Sequence, residues 1–285
     1  MHRRSASCAL ALLLTFAGSA LAQQRPLVTE DPEPIGAGRI LLEGGVQFSH
    51  DQEYKVSGLE GDLWRIPMLG ISLGLSSIAE LQIDGSLFDH LSINRRYQAP
   101  LSHLLTITGD STHDVGDIVL GTKIRFVSER QGRPAFALRF ATKIPTASNE
   151  SGLGLDTIDF STALLSAKTV RSVRLVGNIG FAILSDPTDG SRQNDVLTYG
   201  GSIARALTQH SEIVGELNGR ANTRSGGPFP GTESRSVLNF GGRYTSGPLR
   251  IDGSLFFGLT NADPTFGFTG EVQDSVLGLV NLRAT

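Results

Sequence analysis

Asp117-Ile118-Val119-Leu120-Gly121-Thr122-Lys123-Ile124-Arg125-Phe126 is the stretch that decides the fold class. Ile118, Leu120, Thr122, Ile124 and Phe126 fall on one parity. Asp117, Val119, Gly121, Lys123 and Arg125 fall on the other. A period of two marks an extended strand whose two faces meet different surroundings. The pattern returns downstream. Phe136, Leu138, Phe140, Thr142 and Ile144 alternate with Ala137, Arg139, Ala141 and Lys143. Val173, Leu175, Gly177, Ile179, Phe181 and Ile183 alternate with Arg174, Val176, Asn178, Gly180 and Ala182. Helical periodicity is hard to find anywhere.

Working outward, the same test predicts about twelve strands. They lie near 38–49, 62–75, 78–92, 114–127, 134–146, 155–168, 172–184, 195–207, 211–223, 235–245, 248–260 and 274–283. Pro67 and a change of phase near Met68 predict a bulge in the second, because proline cannot donate to a ladder. The connections alternate. Short ones fall near Ser76-Ser77, Ser128 to Arg133, Thr169 to Arg171, Thr208 to His210 and Ser246-Gly247. Long ones fall near 50–61, 93–113, 147–154, 185–194, 224–234 and 261–273. An even strand number, strands of about ten residues and alternating loop lengths describe a closed antiparallel transmembrane β-barrel, all-β, with short periplasmic turns and longer extracellular loops. A soluble β-protein would show the same alternation, with the apolar face turned inward. Loop alternation, strand length and an export signal separate the two.

That signal is at the N-terminus. Arg3 and Arg4, the largely apolar run Cys8 to Ala17 and the Ala20-Leu21-Ala22 site predict a signal peptide over 1–22. Cleavage would remove Cys8, the single cysteine, so no disulfide and no thiolate chemistry is expected. Residues 23–37 are polar and proline-punctuated and are either a loose periplasmic tail or a plug entering the barrel; the barrel takes 38–285. The formal net charge of −3 argues against nucleic acid as a partner. Thirty-four glycines favour turns and closely packed strands. No stretch after Ala22 approaches the apolar length of a transmembrane helix. Outer-membrane barrels commonly end in an aromatic residue, whereas this chain ends Leu282-Arg283-Ala284-Thr285.

Parity assigns the interior. The lumen-lining set is Glu80, Asp84, Asp117, Lys123, Arg125, Arg139, Lys143, Asp159, Arg174, Glu212, Glu216, Arg220 and Arg243, with Arg39, Glu43, Arg250 and Asp252 on the same side. Acids and bases nearly balance. Such a set either selects solutes along an open path or pairs into a network that fills the barrel, and pairing is expected for most members because buried charges need partners. Lys123 and Arg139 fall on adjacent strands, so an acid must screen them; Asp117 and Glu216 are the candidates. Leu120, Ile124, Leu138, Phe140, Leu175 and Ile179 should face lipid, and Arg205 falls on that apolar side.

Several short stretches, in order, resemble one family. They are Arg25-Pro26-Leu27-Val28-Thr29-Glu30-Asp31-Pro32 with Ile35-Gly36-Ala37-Gly38-Arg39; Gly116-Asp117-Ile118-Val119-Leu120-Gly121-Thr122-Lys123; Lys143-Ile144-Pro145-Thr146; Gly152-Leu153-Gly154-Leu155-Asp156 through Asp159-Phe160; and Val214-Gly215-Glu216-Leu217. The chain resembles outer-membrane proteins associated with the meta-pathway of phenol degradation. The resemblance implies a barrel pore or transporter for hydrophobic or aromatic compounds.

Catalytic signals are weak. No H-E-x-x-H spacing exists, and His50, His90, His103, His113 and His210 are scattered. Ser111, His113 and Asp114 are close in sequence only, which is no evidence of a triad. Gly152-Leu153-Gly154 reads as a flexible loop rather than a phosphate or calcium turn. The expectation is therefore a pore with no catalytic residues, no metal and no cofactor, whose partners are a small-molecule solute and outer-membrane lipid. The alternatives are a membrane-embedded enzyme such as a lipid hydrolase, or a structural or adhesive barrel working through its loops.

Overall fold

The computed structural model describes residues 28–277. The predicted signal peptide, residues 23–27 and the C-terminal end lie outside the described residues. The strands are β1 (Arg39–Tyr54), β2 (Leu59–Gly74), β3 (Ala79–Ser86), β4 (Asp89–Arg96), β5 (Ser111–Asp114), β6 (Ile118–Val127), β7 (Ala135–Ile144), β8 (Asp159–Val170), β9 (Val173–Ser185), β10 (Gln193–Ala206), β11 (Ser211–Asn222), β12 (Arg235–Ser246), β13 (Leu249–Gly258) and β14 (Phe266–Leu277). One helical turn, Ser102–Leu104, sits in the connection after β4.

These form one antiparallel sheet that closes on itself. β1 pairs with β14 from Arg39↔Leu277 to His50↔Phe266, and with β2 from Ile40↔Leu73 to Tyr54↔Leu59. β2 pairs with β3 over Met68–Gly74 and with β4 over Leu59–Arg65, so β3 and β4 are two halves of one wall strand. β5 and β6 likewise follow one another along the next wall strand. The barrel therefore has 12 strands. Closure leaves no unpaired sheet edge, which a hydrocarbon environment requires.

The breaks between these halves were not legible in the sequence. Leu87 and Phe88 both point outward, and the inward parity passes from Gln82 to Asp89 and Leu91. One extra residue changes the face there, and β2 makes the same change at Ile66 and Pro67, so the pairing stays in register from Met68↔Ser86 to Arg65↔Asp89. The predicted irregularity at Pro67 is present: the β1–β2 register shifts between Gly45↔Met68 and Gln47↔Arg65.

Two boundaries need correction. The last strand was expected over 274–283 after a loop at 261–273, but β14 begins at Phe266. Its glycines, Gly267 and Gly270, suggested a loop, but Gly267 sits where neighbouring strands approach closely. A Cβ on Gly267 would lie 2.2 Å from the Phe48 carbonyl. The first connection was expected over 50–61, yet β1 and β2 run on to Tyr54 and from Leu59. Asp51, at φ 54°, supplies the bulge that lets pairing resume after Ser49↔Leu63 at Gln52↔Gly61.

The faces are inverted relative to a soluble sheet. Leu120, Ile124, Leu138, Phe140, Leu175 and Ile179 are all exposed on the outside, as the parity predicts. Arg205 shares that face opposite Ile213, close to the β10–β11 turn. Phe48, Trp64 and Phe268 pack together outside, ring centroids 4.9–5.7 Å apart, toward the end carrying the longer loops. Buried Glu43, Glu80, Lys123, Glu216, Arg243 and Asp252 occupy the interior. Exposed apolar atoms around a charged interior are stable only where the surrounding solvent is lipid.

At the long-loop end the interior turns apolar. Leu59, Leu63 and Leu91 are fully buried, with Leu105, Ile107 and Leu153 from the loops packed on them. These loops fold over the mouth of the barrel instead of standing clear of it.

Candidate functional site: the barrel interior

The chain before β1 decides how the interior is organised. Residues 28–35 cross the barrel and contact β3, β6, β7, β9 and β11. The Thr29 amide donates to Glu216. Glu30 pairs with Arg139, lies 3.1 Å from Lys123, and accepts from Gln82. Asp31 takes Arg174 in a two-point contact, with Nη2 donating at 2.7 Å, and its backbone carbonyl accepts from Lys123 Nζ at 2.9 Å. Glu33 pairs with Arg125. The Ile35 amide donates 2.7 Å to Glu80. The segment then turns through Gly36 (φ 96°) and Gly38 (φ 69°) into β1. It passes so close to Gly74 that a Cβ there would lie 1.8 Å from the Gly36 carbonyl.

Lys123 is the centre of this network. Its side chain is 0% exposed and lies 3.0 Å from Glu80, also 0% exposed, and 3.1 Å from Glu30. Arg139 is its direct cross-strand neighbour. The acid that screens these two cations is Glu30, joined by Glu80, and not Asp117 or Glu216 as the sequence suggested. Asp117 is held elsewhere, 3.2 Å from Lys143 and bonded to the amides of Thr146 and Ala147. Glu216 is occupied by Thr29 and by the Asn239 amide at 2.8 Å. Parity could not find Glu30, Asp31 and Glu33, because they lie in a segment with no period. The available signal was indirect: Lys123, Arg125, Arg139 and Arg174 crowd neighbouring strands without enough acid beside them.

The other expected residues fall into smaller groups. Lys143 bridges Asp117 and Asp159, 3.2 and 3.1 Å away. Arg243 approaches Asp252 at 3.4 Å and Glu212 at 3.7 Å, with Arg250 2.9 Å from the same aspartate. Asp84 lines the central cavity. Arg220 also lines it and, among the described residues, donates only to the carbonyls of Glu233 and Gly231. Arg235, which the sequence reading did not single out, stands directly opposite Arg220.

Between the N-terminal segment and the loops lies a cavity of about 850 Å³. Val28 and Glu30 contribute from the segment side; Val56, Leu153, Leu155 and Pro264 contribute from the loops. The walls carry Asp117, Lys143, Asp159, Arg220 and Arg235 beside Met68, Val237 and Phe256. Mixed walls of this kind suit a solute with an apolar body and a few polar groups.

The catalytic candidates do not assemble. Ser111 and His113 are on the outward face of β5, while Thr112 is buried. The Asp114 carboxylate bonds to the amides of Val115 and Ser148. Gly70-Ile71-Ser72-Leu73-Gly74 matches the G-x-S-x-G string of serine hydrolases. It lies within β2, with Ser72 buried between Leu41 and Gln82 by register, and lacks the strand-to-helix turn that presents a nucleophile. His50, Asp51 and Asp62 have ligand atoms near one another at the outer end of β1 and β2, all partly exposed.

A closed barrel with an apolar exterior and a paired charged interior defines the outer-membrane barrel class. The family model described as "Putative MetA-pathway of phenol degradation" matches residues 43–272, so the chain belongs to that family. Two solved structures share the fold. An outer membrane channel from Pseudomonas putida F1 has a TM-score of 0.59 at 15% identity, covering 86% of this chain and 98% of that one. The NanC porin has a TM-score of 0.52 at 8% identity, covering 82% and 98%. No curated protein matches by sequence.

Proposed function

We propose that this chain is an outer-membrane channel for small apolar or aromatic solutes, with the residue 28–35 segment as its plug. The observation that carries the reading is the 850 Å³ cavity, set inside a lipid-facing barrel and bounded on one side by an ion-paired segment. A structural barrel has no use for such a space, and adhesion would favour loops projecting outward over loops folded into the mouth. The family description and the P. putida channel give the same direction. On this reading residues 1–22 are an export signal, the short turns face the periplasm, and the solute enters among the loops.

The lumen-lining residues then have two roles. Glu80, Lys123, Arg125, Arg139, Arg174 and Glu216 hold the plug. Asp84, Asp117, Lys143, Asp159 and Arg220 line the cavity, and Glu212 and Arg243 lie beyond the plug's contacts. Passage requires the plug to shift, and its bonds are mostly ion pairs that water can replace when the segment moves.

Conductance in planar bilayers tests this. The intact protein should give small, rare openings. Deleting residues 28–35 should give large, persistent ones while the barrel still folds. A folded deletion variant with no conductance would reject the channel. Purified protein should show no turnover of phospholipid or lipopolysaccharide, and turnover would favour the enzyme alternative.

A further inference from the structure

The loop half of the cavity holds two arginines that make no ion pair among the described residues, although the acids Glu233 and Asp263 line the same cavity. Arg220 and Arg235 are direct cross-strand partners on β11 and β12, and both line the cavity. Arg220 Nε and Nη2 each donate at 2.8 Å to backbone carbonyls, of Glu233 and Gly231. These bonds fix the plane of the guanidinium without neutralising it. Arg235 makes no hydrogen bond or ion pair among the described residues, and its Nε is buried without a partner. Glu233 Oε1 accepts from the Gly231 amide at 3.0 Å, and Asp263 Oδ2 accepts from the Ser236 amide and from the Thr260 amide and hydroxyl; both acids stand in the same wall, but neither comes within ion-pair distance of either arginine. Lys143 already occupies Asp159. Like charges directly opposite each other on paired strands destabilise a sheet, and an unpartnered polar group shielded from water costs free energy. Both costs fall when an anion lies between the two guanidinium groups.

Apolar walls stand next to this charge. The Gly231 carbonyl accepts from Arg220, and a Cβ on Gly231 would lie 3.0 Å from Val56 Cγ2 and 3.3 Å from Leu155 Cδ1. Val237 lies two residues along β12 from Arg235 on the same face and also lines the cavity. We propose that Arg220 and Arg235 form a recognition site for the carboxylate of an amphipathic solute, whose apolar or aromatic body rests against Val56, Leu155 and Val237. Planar guanidinium groups match a carboxylate through paired N–H donors. The neighbouring side chains would leave a bare, strongly hydrated anion such as phosphate poorly solvated. This rests on the channel reading and narrows its solute class to organic acids.

Calorimetric titration of the full-length protein in detergent tests the site, with benzoate, its neutral isostere benzamide, and inorganic phosphate as probes. Benzoate should bind at least about tenfold more tightly than benzamide, and phosphate should bind more weakly than benzoate. Arg235→Gln should weaken benzoate binding about tenfold and leave benzamide unchanged, and Arg235→Lys should recover part of the loss. Equal binding of benzoate and benzamide, no benzoate binding, or an unaffected Arg235→Gln would overturn the proposal. Phosphate binding as tight as benzoate would overturn the amphipathic assignment. If Arg235→Gln fails to fold, Arg220→Gln is read by the same criteria. Bilayer conductance is measured separately: a non-conducting protein that binds benzoate in this charge-dependent way refutes the channel and keeps the site, and a conducting protein indifferent to the carboxylate does the reverse.

Discussion

Replacing Lys123 with methionine removes the cation at the centre of the plug contacts and keeps the length of the side chain. The wild-type ammonium lies 3.0 Å from Glu80 and 3.1 Å from Glu30, with the Asp31 carbonyl at 2.9 Å. At an effective dielectric of about 20, a unit pair at that spacing attracts by about 5 kcal/mol. Desolvation of the buried groups offsets much of this, and removing one partner of a buried pair costs about 3–5 kcal/mol. Glu30 keeps Arg139, and it can also leave with the segment. Glu80 is fixed in β3 and fully buried, so most of the penalty falls there. Lys123→Met should therefore lower the urea unfolding midpoint in lipid, raise channel open probability and expose residues 28–35 to protease. Adding Glu80→Gln should recover most of the stability and little of the plug seating, because the Glu30 contact stays broken. A Lys123→Met protein with unchanged midpoint, conductance and protease resistance would refute the plug network.

The remaining predictions probe other parts of the molecule. Phe140→Arg places a charge on the lipid face and should cost about 2–4 kcal/mol near the bilayer midplane, read by urea unfolding in lipid; an unchanged midpoint contradicts the assigned parity. Gly200→Val should unseat the plug and raise conductance, because even a Cβ there would lie 2.6 Å from Thr29 Oγ1. Phe229 lies under the guanidinium groups of Arg192 and Arg224, at 4.6 and 4.2 Å, so Phe229→Ala should speed proteolysis of the loops at 186–192 and 223–234. Glu129, in the turn after β6, is partly desolvated, but its bonds from the Thr169 amide, Lys168 and Arg174 outweigh this and hold its carboxyl below the ordinary value near 4.5. Its contribution is therefore full above that value and is lost as pH falls through the lower folded one; Thr169 amide exchange, corrected for intrinsic rate, should accelerate only in that acid window.

Much of the fold was legible because lipid imposes a regular pattern. Each wall strand must alternate, so Leu120, Ile124, Leu138 and Phe140 were placed outside from parity alone, and Lys123, Arg125 and Arg139 inside. Alternating connection lengths supplied strand number and topology. The pattern failed at Leu87-Phe88 and at the Asp51 bulge, where the backbone departs from period two, and in β14, where Gly267, needed for close packing, resembles a loop residue. Such departures are set by how neighbouring strands meet, and a single strand carries no record of its neighbours.

The sequence by itself determined which residues turn inward and that their charges nearly balance. Only the tertiary structure decided who pairs with whom. Lys123 and Glu30 are 93 positions apart in the chain and 3.1 Å apart in the barrel. Parity gives a side chain's direction, while its partner depends on register, barrel closure and the path of a segment with no periodicity. The same limit hid Arg235. Its charge was visible in the sequence, but that it makes no ion pair among the described residues is a property of everything around it, and that exists only once the barrel has closed.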